Sequence, residues 1–258
     1  MRLSTRICGV GGVAIAGLLT TEMPAFAQNS GAGFYIRTDT GWSTTEHANF
    51  KQDNPNNLSE CFIFDANGTT CQSHLNHLGT SPVVGAGFGY QYGTGWRTDV
   101  TITYRPSYNL HQTDPAGTAY DSDVKSLAVM INGFYDIPLG MGPLRPFIGA
   151  GIGFTNNKLS DISWDDCPSP GICQGKIPGG SETSFAWQAM LGAAFNLTDS
   201  VIVEMGYRYF DAGEFVKSRG NSVSWGGITD SARGDITAHE IMVNLRIPLS
   251  AVAGALRQ

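Results

Sequence analysis

The histidines in the first third of the chain are the residues whose types first suggest chemistry. His74 and His77 lie close together, and His47 follows Glu46 further upstream. Imidazole and carboxylate groups are common zinc ligands. Their spacing matches no established ligand pattern, which favours histidines solvated in a polar loop. The sequence therefore predicts no metal site.

Two glycine-rich stretches, residues 85–89 (GAGFG) and 149–153 (GAGIG), have the look of nucleotide-binding loops. A true loop of that kind follows a strand and opens a helix. Both stretches instead lie within strand-like alternation, where glycines would pack beside larger side chains. The sequence therefore predicts no cofactor.

The start of the chain has the pattern of a cleaved secretory signal peptide over residues 1–27. Arg2 and Arg6 precede an apolar run, and residues 25–27 (AFA) fit the cleavage pattern. A transmembrane anchor is the alternative, but the apolar run is too short to span a bilayer. Export would leave 14 basic and 21 acidic residues. No basic patch indicates nucleic-acid binding.

Four cysteines remain after such cleavage, and they form two close pairs in an exported chain, which favours disulfides. Neither pair has the CxxC spacing of zinc or redox sites. Pairing across loops is the alternative that the sequence leaves open. The favoured disulfides are Cys61–Cys71 and Cys167–Cys173.

Eight stretches of the chain alternate in character with a period of two, which indicates extended strands. In residues 83–92, apolar side chains occupy one parity, and glycines with Gln91 occupy the other. Elsewhere the second parity carries charges, as if it faced a narrow interior. This pattern is typical of a β-barrel in lipid. The predicted strands are residues 33–43, 83–92, 96–105, 124–136, 147–155, 183–196, 201–210 and 236–249.

The connections alternate between short and long, as they do in bacterial barrels. The long ones are residues 44–82, 106–123, 156–182 and 211–235. The sequence therefore predicts an all-β fold, an eight-stranded antiparallel up-and-down transmembrane β-barrel with four long extracellular loops and three short periplasmic turns. Its domains are the signal peptide (1–27), the barrel (28–249) and a C-terminal tail (250–258). A soluble β-sandwich is the alternative.

Aromatic side chains on the outward parity should form girdles at the two membrane interfaces. The periplasmic set is Tyr90, Tyr92, Trp96, Tyr135 and Phe195, and the outer set is Trp42, Tyr104, Phe154, Phe185, Trp187 and Tyr209.

Charged side chains on the inward parity balance, with five arginines and five carboxylates. An eight-stranded interior is only wide enough for side chains to fill it, so each charge needs a partner. We therefore predict a structural plug of ion pairs, with a small porin as the alternative. The predicted members are Arg37, Asp39, Arg97, Asp99, Arg105, Asp136, Glu204, Arg208, Glu240 and Arg246.

The order and spacing of several segments resemble an outer-membrane barrel family. That family includes the neisserial opacity proteins and the major surface antigens of alphaproteobacteria such as Brucella and Bartonella. The chain departs from its pattern by ending the last strand at Leu249, after Pro248, rather than at an aromatic residue. The similar segments are GFYIRTDTGWS, MINGFYDIP, PFIGAGIGF, SFAWQAMLGAAF, VEMGYRYFD and HEIMVNLRIPL.

The resemblance and the absence of specific chemistry predict a non-catalytic outer-membrane protein. Its roles would be envelope integrity and surface interaction through the extracellular loops. Its expected partners are outer-membrane lipid, the barrel-assembly machinery, and host or surface ligands. A lipid A-modifying enzyme is a further alternative, because His239 shares the outward parity and neighbours Glu240. No serine is placed beside His239 by spacing alone.

Overall fold

A computed structural model describes most of the predicted barrel and parts of the long connections. The described residues are 32–46, 48–52, 74–75, 79–113, 119–139, 143–165, 174–177, 179–198, 200–217, 220–221, 228–229 and 232–250. The predicted signal-peptide segment, the four cysteines that would follow it, His47, His77 and the tail beyond residue 250 lie outside them. His74 is described only as backbone, in a two-residue strand.

Eight long antiparallel strands form a closed cylinder, as the alternation predicts. Each strand pairs with the next along the chain, and β8 pairs back to β1 from Tyr35 opposite Pro248 to Thr45 opposite Ala238. Closure leaves no unpaired strand edge in the membrane, where an unpaired backbone group would be costly. The strands are β1 Gly33–Thr45, β2 Thr80–Gln91, β3 Trp96–Thr113, β4 Ala119–Asp136, β5 Leu144–Leu159, β6 Gly180–Asn196, β7 Ile202–Lys217 and β8 Ala232–Pro248.

The strands extend further into the long connections than the sequence pattern predicted. Residues 106–123 were expected to be a loop, yet β3 and β4 continue to pair up to Thr113 opposite Ala119. The alternation fades there because a ribbon outside the membrane has no lipid-facing side to keep apolar. Short paired strands, Ile162–Asp165 with Gln174–Ile177, also occupy the connection after β5.

Register shifts mark two of the places where barrel strands become ribbons. One lies between Arg105 and Tyr108, and the other between Asp211 and Glu214. Pro106 cannot donate a ladder hydrogen bond, and Gly213 has a φ of 68° that favours glycine. Such bulges bend and twist a strand, so both sites redirect the chain as the ribbon begins.

The cylinder buries polar residues inside and exposes apolar residues outside. Arg97 and Arg105 are fully buried, whereas Ile131 and Ile241 are each 62% exposed. A soluble protein has the opposite arrangement. Within the described ranges, no helix has the length and apolar character needed to cross a membrane.

Candidate functional site: the charged lumen and the two rims

The lumen brings all ten predicted charges into ion pairs, in three groups that follow the barrel axis. Each group joins inward positions of strands that are not all neighbours in the sheet. In the central group, the Arg37 guanidinium lies 2.8 Å from a carboxylate oxygen of Asp39 and 2.8 Å from one of Asp99. The outer group is Arg105 and Arg208, which both bind Glu240; the Arg105 distance is 2.7 Å.

The periplasmic group is a chain of four charges. Arg97 lies 3.2 Å from Asp136 and 3.1 Å from Glu204, and Arg246 lies 2.9 Å from the same Glu204. The side chains of all four are at most 8% exposed. Buried charges on this scale are stable only when paired, so the pairing explains how a narrow lumen tolerates them.

Neutral polar side chains complete the central group. The Tyr35 hydroxyl donates to Asp99 at 3.0 Å, and the Asn132 amide donates to the other Asp99 oxygen at 2.8 Å. Gln188 on β6 in turn donates to Asn132 on β4, over Gly151 of the strand between them. These bonds join β1, β3, β4 and β6, so the network ties together strands that are not sequence neighbours.

The phenylalanine rings inside the lumen were not identified from the sequence. The guanidinium of Arg97 lies 4.1 Å from the ring centre of Phe134, and that of Arg105 lies 3.8 Å from the ring centre of Phe210. A cation over a ring face is stabilised by the ring quadrupole. The alternation could have placed both rings in the lumen, because Phe134 and Phe210 share the inward parity of Asn132 and Arg208. Each ring therefore covers one side of a buried charge.

Glycines make room for these large side chains. A Cβ atom on Gly149 would lie 2.4 Å from the Phe134 ring, and one on Gly151 would lie 2.0 Å from the Asn132 amide oxygen. The glycine-rich stretch 149–153 therefore belongs to lumen packing, and it lies within strand β5.

Replacing Gly151 by valine should destabilise the barrel by about 1–3 kcal/mol, the usual cost of overpacking a tight interior. The valine side chain would displace Asn132 and break its bonds to Asp99 and Gln188. Urea unfolding in lipid vesicles measures the change. Ala150→Val on the same strand faces outward and is the control, with an expected change within about 0.5 kcal/mol. Equal effects of the two variants would contradict the packing account.

The outward aromatic side chains lie toward both ends of the cylinder. Near the short turns, the ring centres of Trp96 and Tyr135 are 4.9 Å apart, and those of Tyr90 and Tyr92 are 5.0 Å apart. Near the long connections, the ring centres of Phe154 and Phe185 are 6.4 Å apart, and those of Trp187 and Tyr209 are 5.4 Å apart. Trp42 and Tyr104 are exposed outward side chains, and Phe195 is half-buried.

Among the described residues, the hydrogen-bond contacts of His239 are with a tyrosine and a glutamate, and not with the serine that a lipid A-modifying enzyme would use. Its two ring nitrogens contact the Tyr207 hydroxyl and the Glu46 carboxylate. Glu240, the next residue, faces the lumen and binds Arg105. Among the residues that the structure describes, no group of three or more His, Cys, Asp or Glu side chains could hold a metal ion.

A closed antiparallel cylinder with an apolar exterior and a charged interior defines an outer-membrane β-barrel protein. The chain belongs to the outer membrane protein beta-barrel domain family, whose model matches residues 13–246. It is therefore a protein of the outer membrane.

The chain is similar to two relatives and to one solved structure. An uncharacterized protein of Brucella melitensis is 29% identical over 235 residues, which cover 80% of each chain. A protein of Rickettsia conorii named as a candidate adhesin is 27% identical over 194 residues, covering 68% of this chain and 73% of its own. OprG from Pseudomonas aeruginosa superposes with a TM-score of 0.48 at 16% identity, covering 84% of this chain and 96% of OprG.

Proposed function

We propose that the protein is a non-catalytic surface protein whose plugged barrel anchors extracellular β-ribbons that contact host or surface ligands. The observation that carries this proposal is the contrast between the barrel lumen and the extracellular ribbon of β3 and β4. The lumen is filled with ion pairs, whereas β3 and β4 continue beyond their register shift as a paired ribbon. Connecting segments on a rigid scaffold are where binding residues concentrate. The candidate adhesin among the relatives supports the same role.

Trimming the β3–β4 ribbon tests the proposal. Residues 110–122 would be replaced by Asn-Gly, which suits a tight hairpin turn between Asn109 and Asp123. We expect assembly in the outer membrane and an unchanged heat-dependent shift on SDS gels, together with loss of bacterial attachment to epithelial cells. Intact attachment by this variant and by a full deletion strain, with an intact permeability barrier, would refute the proposed role.

Envelope integrity would follow from the same anchoring. We infer that the ion-pair plug keeps the cylinder closed to solutes, so the barrel adds a rigid element without a leak. Disulfides in the extracellular connections, Cys61–Cys71 and Cys167–Cys173, remain part of this proposal and would stiffen the presented surface. Non-reducing peptide mapping of the exported protein would identify the actual pairs.

A small porin is the competing function, and electrical recording separates it from the proposed one. Purified wild-type protein should give no discrete conductance steps in planar bilayers, because Arg97 and Phe134 fill the lumen cross-section. The Arg97→Ala, Phe134→Ala variant should introduce steps if it still assembles. Steps from the wild-type protein would favour the porin.

A further inference from the structure

Two lysines lie directly opposite each other on the outward face, at the outer end of β4 and β5. Lys125 and Lys158 are partners in the antiparallel register, and both are exposed. Like charges in opposed positions destabilise a sheet. Within the described part of the chain, neither ammonium group has an ion-pair partner. The arrangement therefore favours the binding of an anion at this position.

The lysines also stand at the level of the membrane interface. Lys125 lies two positions beyond Leu127 toward the outer end of β4. On β5 the apolar outward row ends at Phe154, and Asn156 separates it from Lys158. Lys125 lies ten residues from Tyr135 at the opposite end of β4. At about 3.3 Å per residue and a tilt of about 40°, that separation is about 25 Å along the membrane normal. The apolar band of such barrels has about this height.

Uncharged donors and a cavity lie beside the lysines. Ser181 on β6 is the register partner of Lys158, so Lys125, Lys158 and Ser181 form one row across three strands. A cavity of about 480 Å³ is lined by Lys158 and Ser181, together with Ser160, Gly179 and Gly180. Its volume is in the range of sites for single small ligands.

The carboxylates near the two lysines form hydrogen bonds with other groups. Asp161 lines the cavity, and its carboxylate accepts a hydrogen bond from the Gly179 backbone N–H. Asp123 accepts a hydrogen bond from Ser107, on the β3 side of β4. Glu182 has the inward parity. The outward row through Lys125, Lys158 and Ser181 therefore presents two positive charges and a hydroxyl.

We propose that this row binds a phosphate group on the headgroup of an outer-leaflet lipid. Ammonium groups bind phosphate as point charges, and the adjoining apolar rows would contact the acyl chains of the same lipid. The opposite part of the outer rim, where β8 meets β1, has the reverse character, because the Glu46 carboxylate contacts His239 there. A phosphorylated headgroup is thereby directed to the β4–β6 face.

Lipid retention measured by native mass spectrometry tests the proposal. The full exported chain would be purified from vesicles that contain phosphatidylcholine and either bisphosphorylated lipid A or the same lipid A after phosphatase treatment. We expect the wild-type protein to retain the phosphorylated form preferentially, by roughly 30-fold for two lysines near a membrane surface. The Lys125→Gln, Lys158→Gln variant should lose that preference.

The control removes the same charge elsewhere. Arg145→Gln, Arg233→Gln changes the periplasmic end and a ribbon, and it should retain the wild-type preference. The heat-dependent gel shift confirms that each variant is folded. Equal retention of phosphorylated and phosphatase-treated lipid A by the wild-type protein would overturn the proposal. An equal preference in the lysine variant and the control would also overturn it. Displacement of the lipid by millimolar inorganic phosphate would also overturn it, by identifying free phosphate as the ligand.

Discussion

Replacing Glu240 by glutamine is expected to lower the free energy of unfolding by about 3–5 kcal/mol, the usual effect of removing one partner from a buried ion pair. Glu240 is the carboxylate that binds both Arg105 and Arg208 in the outer lumen group. Glutamine keeps the size and removes the charge, so two buried guanidinium groups would face each other uncompensated. Urea unfolding in lipid vesicles, followed by tryptophan fluorescence, gives the free energy.

An exposed carboxylate provides the matched control for Glu240. Glu214 pairs with Arg233 at 3.5 Å, and both side chains are well exposed. Glu214→Gln should change the free energy of unfolding by less than about 1 kcal/mol. A second comparison replaces the whole outer group with Arg105→Met, Arg208→Met and Glu240→Leu, which should recover much of the loss. Equal destabilisation by Glu240→Gln and Glu214→Gln would show that the lumen charges are not buried.

Replacing Ile131 by arginine should cost about 2–4 kcal/mol, the penalty for arginine on the lipid face near the bilayer midplane. Ile131 is in the middle of the outward row of β4, and it is 62% exposed. In water, an exposed apolar side chain could be replaced by arginine with little effect. The expected penalty therefore depends on hydrocarbon being the solvent at this position.

Leu197 offers a control with the same accessibility. It lies in the short turn after β6 and is also 62% exposed. Leu197→Arg should cost at most about 1 kcal/mol, because arginine at the interface can reach water. A penalty for Ile131→Arg that is no larger than the one for Leu197→Arg would mean that the outward row does not contact lipid.

The alternating pattern predicted the barrel well because two solvents act on every strand. In β8, Ile241 contacts hydrocarbon and must be apolar, whereas the charge of its neighbour Glu240 is buried and needs an ion-pair partner. The residue type at each position therefore indicates which of the two environments it faces. The pattern predicted the β3 and β4 ends poorly, because residues 110–113 pair with residues 119–122 above the membrane and no apolar face is required there. The ends of strands in such ribbons are set by backbone hydrogen bonds, which constrain residue types less than contact with lipid does.

The sequence predicted which charged residues face the lumen, but it did not predict which of them form ion pairs with each other. Parity identified Arg97, Asp136 and Glu204 as inward, yet β3 and β7 are not neighbouring strands. The contact between Arg97 and Glu204 crosses the interior. It depends on strand stagger, which the sequence does not specify. Phe134 lies beside Arg97 as its register partner on the neighbouring strand, and alternation alone does not specify that register.

Labelling with a photoactivatable carbene reagent dissolved in the bilayer tests the central claim most directly. Peptide mass spectrometry would compare outward side chains, Ile131, Ile152 and Ile241, with their inward neighbours Met130 and Met242. The account predicts label on the isoleucines and almost none on the two methionines. Label on the methionines with unmodified isoleucines would show that the faces of the sheet are reversed.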